Sequence, residues 1–183
     1  TIREIHHRVK NNLQTVSALL RLQSRRSSEE AVKVALAEAE RRVQAIATVH
    51  AALSQNVDES VDFDEVARTI VRMAGAIAST DHSVEVITTG SFGTIQADQA
   101  QALATVLNEL VANSVEHGLA DRDGLIEVRA EREGTSMTVT VADNGVGFVP
   151  GTPMSGLGTQ IVHQMVRGEL KGSIEWTPRE GGG

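Results

Sequence analysis

Cysteine is absent from the 183 residues, which excludes disulfides and thiolate chemistry and fits a reducing compartment. Tyrosine is absent too. Aromatic residues make up 2% of the chain, so its core must be built from Val, Ile, Leu and Ala. No apolar run reaches the roughly 18 residues that a membrane-crossing helix needs. No signal-peptide pattern is found, and a cytoplasmic location is expected. Basic residues do not dominate: 17 Lys and Arg stand against 24 Asp and Glu, a formal net charge of −7. General nucleic-acid binding is therefore not expected. An acidic domain still binds nucleotide where backbone amides and a metal ion meet the phosphates. The pattern is already helical at Thr1 and the chain stops at three glycines, so a piece of a longer protein is expected, with any sensor domain upstream.

What is present begins with helical periodicity. Ile2, Ile5, Val9, Val16, Leu19 and Leu20 recur at spacings that place them on one helix face. Arg25 to Glu30 interrupts the pattern, and Ser27 or Ser28 is placed to cap a second helix. Leu36, Ala39, Val43, Ile46, His50 and Leu53 then follow heptad spacing. Two such helices form an antiparallel hairpin that buries little alone, so pairing with a second copy into a four-helix bundle is expected. His50 is expected to be partly buried in that seam.

The character changes near Asn56. A helix is expected over Phe63–Ala78, a strand over Val84–Thr88, and a long helix over Asp98–His117. A hairpin of Leu125–Ala130 with Met137–Ala142 turns at Glu133-Gly134. A glycine-rich loop leads to a helix over Thr159–Val166, then a strand over Ser173–Trp176. Helices and strands mix without βαβ alternation, which predicts an α+β fold of helices on a mixed sheet. The two domains are expected at 1–56 and 57–183.

Three segments carry chemical signal. Asn108-Glu109-Leu110-Val111-Ala112-Asn113 sets Glu109 and Asn113 four apart on one helix face. An asparagine oxygen suits Mg2+ that keeps most of its water and phosphate ligands; the plain alternative is a solvated polar stripe. Asp143-Asn144-Gly145-Val146-Gly147-Phe148 follows a strand. Its carboxylate can take a ligand amino group, and its glycines permit close approach. The alternative is a simple Asn-Gly turn. Ser155-Gly156-Leu157-Gly158-Thr159-Gln160 runs into a helix start, whose free amides can hold phosphate. A lone glycine pair there is weak evidence. The three in this order within 50 residues are strong.

In that order the segments resemble the GHKL ATP-binding fold shared by histidine kinases, gyrase, Hsp90 and MutL. The opening Glu4-Ile5-His6-His7-Arg8-Val9-Lys10-Asn11-Asn12-Leu13-Gln14 resembles the phosphoacceptor box of the HisKA_2 group of sensor histidine kinases, close to the HWE kinases. The resemblance spans nearly the whole chain. It implies ATP and Mg2+ as cofactors, with Asn113 on the ion, Asp143 on the adenine amino group, and Gly145 and Gly147 beside the base. It further implies that Gly156, Leu157, Gly158 and Thr159 close over the phosphates and that His117 ends the ATP-site helix. A helix-end histidine facing the C-terminal dipole is the alternative for His117. Glu116 stands where relatives often carry lysine, and the last strand of the fold is expected to be missing.

Heptad position separates the paired histidines. His6 falls beside the expected seam and His7 opposite it, so His7 is the expected phosphoacceptor; adjacent helical residues do not converge on a metal. Glu4, three residues earlier, is the candidate for fixing its tautomer, and Arg8 and Lys10 are candidate phosphate contacts. The implied activity is autophosphorylation of His7 from Mg-ATP and transfer to an aspartate of a response-regulator receiver domain. An ATPase of the same fold without phosphohistidine, with Glu109 orienting water, is one alternative. A non-catalytic phosphorelay scaffold is another.

Overall fold

The computed structural model describes residues 1–76, 82–120, 122–148 and 156–179. Helices α1 (Ile2–Arg26) and α2 (Glu30–Leu53) form the expected hairpin. Thr1 starts α1 by accepting the Glu4 N–H on its hydroxyl, 3.2 Å away. The link is tighter than the serine pattern suggested. Ser27 ends α1 in an extended conformation, and its hydroxyl accepts from Glu29 N–H at 3.2 Å. Glu29, not a serine, is therefore the N-cap of α2.

Beyond the hairpin come β1 (Ser60–Asp62), α3 (Phe63–Gly75), β2 (Val84–Gly90), β3 (Thr94–Gln96) and α4 (Ala97–Asn113). Then follow β4 (Gly124–Glu133), β5 (Ser136–Asp143) and α5 (Leu157–Gln164). Parallel β2–β4 and antiparallel β4–β5 pairing gives the mixed sheet foreseen for the chain. The β4–β5 turn places Gly134 at φ +59°, in the left-handed region. Strands β1 and β3 were not legible. They are three residues long and pair through Val61 opposite Ile95.

Two expectations change. The segment Ser173–Trp176 is not a strand: 171–179 has no regular structure. A strand is defined by its ladder, and among the described residues β5 pairs only with β4. Ile174 packs instead on Val106, Val162 and Val166. The helix expected to reach Ala78 ends at Gly75, with Ile77 and Ala78 outside the described residues. Residues 149–155 of the glycine-rich loop, Ser155 among them, and the final glycines also lie outside them.

The main core joins α3, α4 and the sheet through Phe63, Ile70, Phe92, Leu107, Ile126 and Val128. Asp64 fixes the loop after β2, accepting from Ser91 Oγ (2.8 Å), Phe92 N–H (2.8 Å) and Gly93 N–H (3.1 Å). Burial alone would raise its pKa, but these bonds, with Arg68 nearby, hold it below the ordinary carboxylate value. Ala45, Val49 and Leu53 of α2 enter this same core, so apolar packing runs on across residue 56. The buried stripe of α2 is thus not the heptad seam. The helix has neighbours on two sides, α1 and α4, and its pattern serves both.

Candidate functional site

The antiparallel hairpin brings His6 onto His50, with Nδ1 to Nδ1 at 3.0 Å. His6 Nε2 lies 3.9 Å from Glu59 Oε1, and 12% of the His6 side chain is exposed. His7 projects about 100° away on the helix and is exposed. Its Nδ1 is 3.4 Å from the side-chain nitrogen of Asn11, one turn on. Glu4, the expected tautomer-fixing group, is not on His7. It takes Arg8 Nε at 2.9 Å, and that bond foremost holds its carboxyl below the ordinary value. Asn11 is the side chain that touches the ring. Its i, i+4 spacing from His7 was a readable signal that composition-led reading passed over.

Two imidazole nitrogens at hydrogen-bond distance need one proton between them. Burial, then the charge of His6, pushes the His50 pKa below its ordinary 6.5. A base with a depressed folded pKa stabilises the fold above the unfolded value and loses that contribution as pH falls through the folded one. The melting temperature of the wild type is therefore expected to fall more steeply below pH 6.5 than that of His50→Gln. Parallel curves in a pH series of thermal unfolding would remove His50 from this role.

The second group gathers at the C-terminal end of α4. Glu109 and Asn113 lie on the helix; past Asn113 it widens into a π-turn over Ser114–Gly118, closed by Leu119 N–H on Ser114 O at 2.7 Å. Such an inserted residue breaks the regular i, i+4 relation, and His117 turns out to solvent while Asn113 stays half-buried. Asp143, ending β5, presses on that turn: a Cβ on Gly118 would lie 2.4 Å from its Oδ2. Its Oδ1 accepts from Gly145 N–H at 3.0 Å. Gly145 has no room for a side chain, since a Cβ would meet Gly118 O at 1.8 Å. Gly147 adopts φ +72°.

Gly156 is the N-cap of α5, Leu157 is 61% exposed and Thr159 is buried. Glu109 is buried and paired with Arg42 of α2, whose Nη2 is 3.3 Å from Oε2 and whose Nε bonds Oε1. The Glu109 bond first, against the cost of burial, raises the Arg42 pKa. Neighbouring Arg41 Nη2 lies 3.6 Å from Glu116 Oε1. Sequence reasoning missed both arginines, because nothing local marks a contact made 67 residues away.

The two groups stand at opposite ends of α4. Glu59, beside His6, accepts Ala97 N–H on its backbone oxygen at 3.0 Å, and Ala97 is the first residue of α4. Asn113 is its last. Sixteen residue steps along the helix separate them, about 24 Å.

A phosphotransfer-type helical hairpin followed by this three-motif ATP-site fold defines a histidine-kinase core. Comparison with known proteins agrees. Residues 4–77 match the family model described as histidine kinase. Residues 98–183 match that of the histidine kinase-, DNA gyrase B- and HSP90-like ATPases. The chain belongs to the sensor histidine kinases of this two-domain type. It is 47% identical over 179 residues to the sensor histidine kinase PdtaS of Mycobacterium tuberculosis, covering 95% of this chain and 36% of that protein. The PdtaS of Mycolicibacterium smegmatis is 46% identical over the same shares. A blue-light-activated histidine kinase of Rhizobium johnstonii is 29% identical over 94% of this chain and 48% of its own length. The chain thus spans about a third of the PdtaS proteins it matches. A solved blue-light activated histidine kinase of Erythrobacter litoralis shares the fold, with TM-score 0.64 and 20% identity over 90% of this chain and 52% of that one.

Proposed function

We propose that this chain autophosphorylates His7 from Mg-ATP and passes the phosphoryl group to an aspartate of a response-regulator receiver domain. The observation that carries the reading is the division between the two histidines: His7 is exposed and free to meet a phosphate, while His6 is packed on His50 and Glu59. A half-turn of the Asn11 amide offers its oxygen to an Nδ1–H, leaving the lone pair on Nε2 of His7. That nitrogen attacks the γ-phosphorus. The N–P bond forms as the bond to the bridging oxygen breaks, ADP leaves with the electron pair, and the proton stays on Nδ1 of His7, hydrogen-bonded to the Asn11 oxygen.

Asp143 receives the adenine amino group, and Gly145 and Gly147 let the backbone approach the base. Gly156, Leu157, Gly158 and Thr159 place helix-start amides at the phosphates. The half-buried Asn113 oxygen suits Mg2+, which neutralises phosphate charge when bound. Among the described residues no cluster of three metal-ligating side chains occurs; the reading gives the ion's remaining positions to phosphates and water, as Mg2+ commonly takes them. No helix among them is long and apolar enough to cross a membrane, and the reading places this core in the cytoplasm with its ATP.

A second copy is the partner of the hairpin. Ile2, Ile5, Val16 and Leu19 of α1 are exposed and fall within a sector of about 100°. Leaving them in water costs about 25 cal/mol per Å2 of apolar area. Light scattering of the wild type is expected to give twice the 19.5 kDa of one chain. Leu19→Glu, pointing into the shared sector, is expected to give one. A wild-type mass of 19.5 kDa would remove the dimer.

The function itself is tested by incubation with γ-labelled ATP. Label that survives base and is lost in acid marks phosphohistidine. Phosphate release with no protein label would replace this reading with an ATPase.

A further inference from the structure

Three elements meet on one ion pair. The Arg42 side chain is 19% exposed and that of Glu109 is 6%, so the pair is largely out of water. Gly158, in the first turn of α5, lies against it: a Cβ there would fall 2.6 Å from Glu109 Oε2 and 3.9 Å from Arg42 Nη2. Glu38 Oε2 approaches Arg42 at 3.8 Å. The Arg41–Glu116 contact stands beside it on the same two helices, and Arg41 Nε is buried there with no partner. The hairpin and the ATP-site helix are therefore tied by charge, with the glycine turn packed against the pair, over and above the packing of Ala45 and Val49.

This docking is incompatible with phosphoryl transfer within one chain. Arg42 and His50 are eight residues apart on α2, about 12 Å, and His7 neighbours the residue that sits on His50. Asn113 lies one turn beyond Glu109, at the far end of α4. His7 and the nucleotide residues thus face opposite ends of the same helix. Bringing them together requires the hairpin to shift along or away from α4, and the Arg42–Glu109 bonds must break first. Breaking a largely buried pair leaves its members uncompensated until water or another partner reaches them. The same pair occupies Glu109, the carboxylate one turn before Asn113 on the helix.

We propose that Arg42 is an autoinhibitory clasp. It holds the hairpin docked on α4 in a resting form, ties up Glu109, and must let go before His7 reaches the nucleotide of its own chain. The inference rests on the kinase reading above. Opening the clasp by Arg42→Gln is expected to speed initial His7 labelling roughly tenfold, while Arg42→Lys, which keeps the charge but not both contacts, falls between it and wild type. Backbone hydrogen exchange without nucleotide supplies an independent arm. Arg42→Gln is expected to raise exchange along 42–53 and 100–109 and leave β4 and β5 unchanged.

Slower labelling in Arg42→Gln, with exchange unaltered in the sheet, would make Arg42 a positioning residue of Glu109 and overturn the clasp. Equal labelling and equal exchange would overturn it as well. Absence of label in wild type and variants alike would instead defeat the kinase reading, and the exchange arm would still decide whether Arg42 holds the hairpin down.

Discussion

His7→Gln is expected to lose all phosphoryl labelling while binding ATP as the wild type does. On the proposed reading the two properties reside at opposite ends of α4, and His7 is exposed with Asn11 as its side-chain hydrogen-bond partner. Removing its ring deletes the proposed nucleophile and disturbs little else. Glutamine keeps the polarity and the helix propensity of the position. His6→Gln is the informative companion. It breaks the bond to His50 and should lower the melting temperature, yet it leaves the exposed ring in place, so substantial labelling is expected. Measuring label, nucleotide affinity and melting temperature for both variants separates attack from folding. Full labelling of His7→Gln with a dead His6→Gln would reverse the assignment.

The second large effect belongs to Asp143. Asp143→Ala is expected to weaken ATP binding by about 10- to 100-fold, the range of one hydrogen bond to a charged group. This residue has two duties. One oxygen accepts from Gly145 N–H at 3.0 Å and shapes the glycine turn; the other lies against Gly118. Alanine removes both. Asp143→Asn keeps an oxygen for Gly145 N–H and turns an acceptor into a donor, so it should hold the turn while still losing adenine. Comparison of ATP with a triphosphate bearing a carbonyl in place of the adenine amino group reads the difference. Equal affinity of wild type and Asp143→Ala for ATP would dissolve the proposed pocket.

The residues at issue were legible to different degrees. The two hairpin helices, α4 and the β4–β5 hairpin appear in the sequence because their apolar spacing is local and strong. Strands β1 and β3 did not appear, since three residues carry no readable alternation. Ser173–Trp176 alternates like a strand but lacks a ladder partner among the described residues, and alternation cannot supply one. Glu4 looked right for His7 by spacing. Arg8, also one turn from it, is a stronger competitor because it brings a full charge to the carboxylate.

The longer helices, the β4–β5 hairpin, the order of the three glycine- and asparagine-bearing motifs and the exposure of His7 relative to His6 could all be read from the chain alone. Helical and strand periods are properties of neighbours a few residues apart, and the chain states them directly. Only the tertiary structure decided that α2 turns Ala45, Val49 and Leu53 into the ATP-domain core, that Arg42 holds Glu109, and that the histidines and Asn113 lie at opposite ends of α4. These depend on how α2 is rotated between two competing neighbours. That rotation is set by the summed packing of both interfaces, a quantity no local pattern contains.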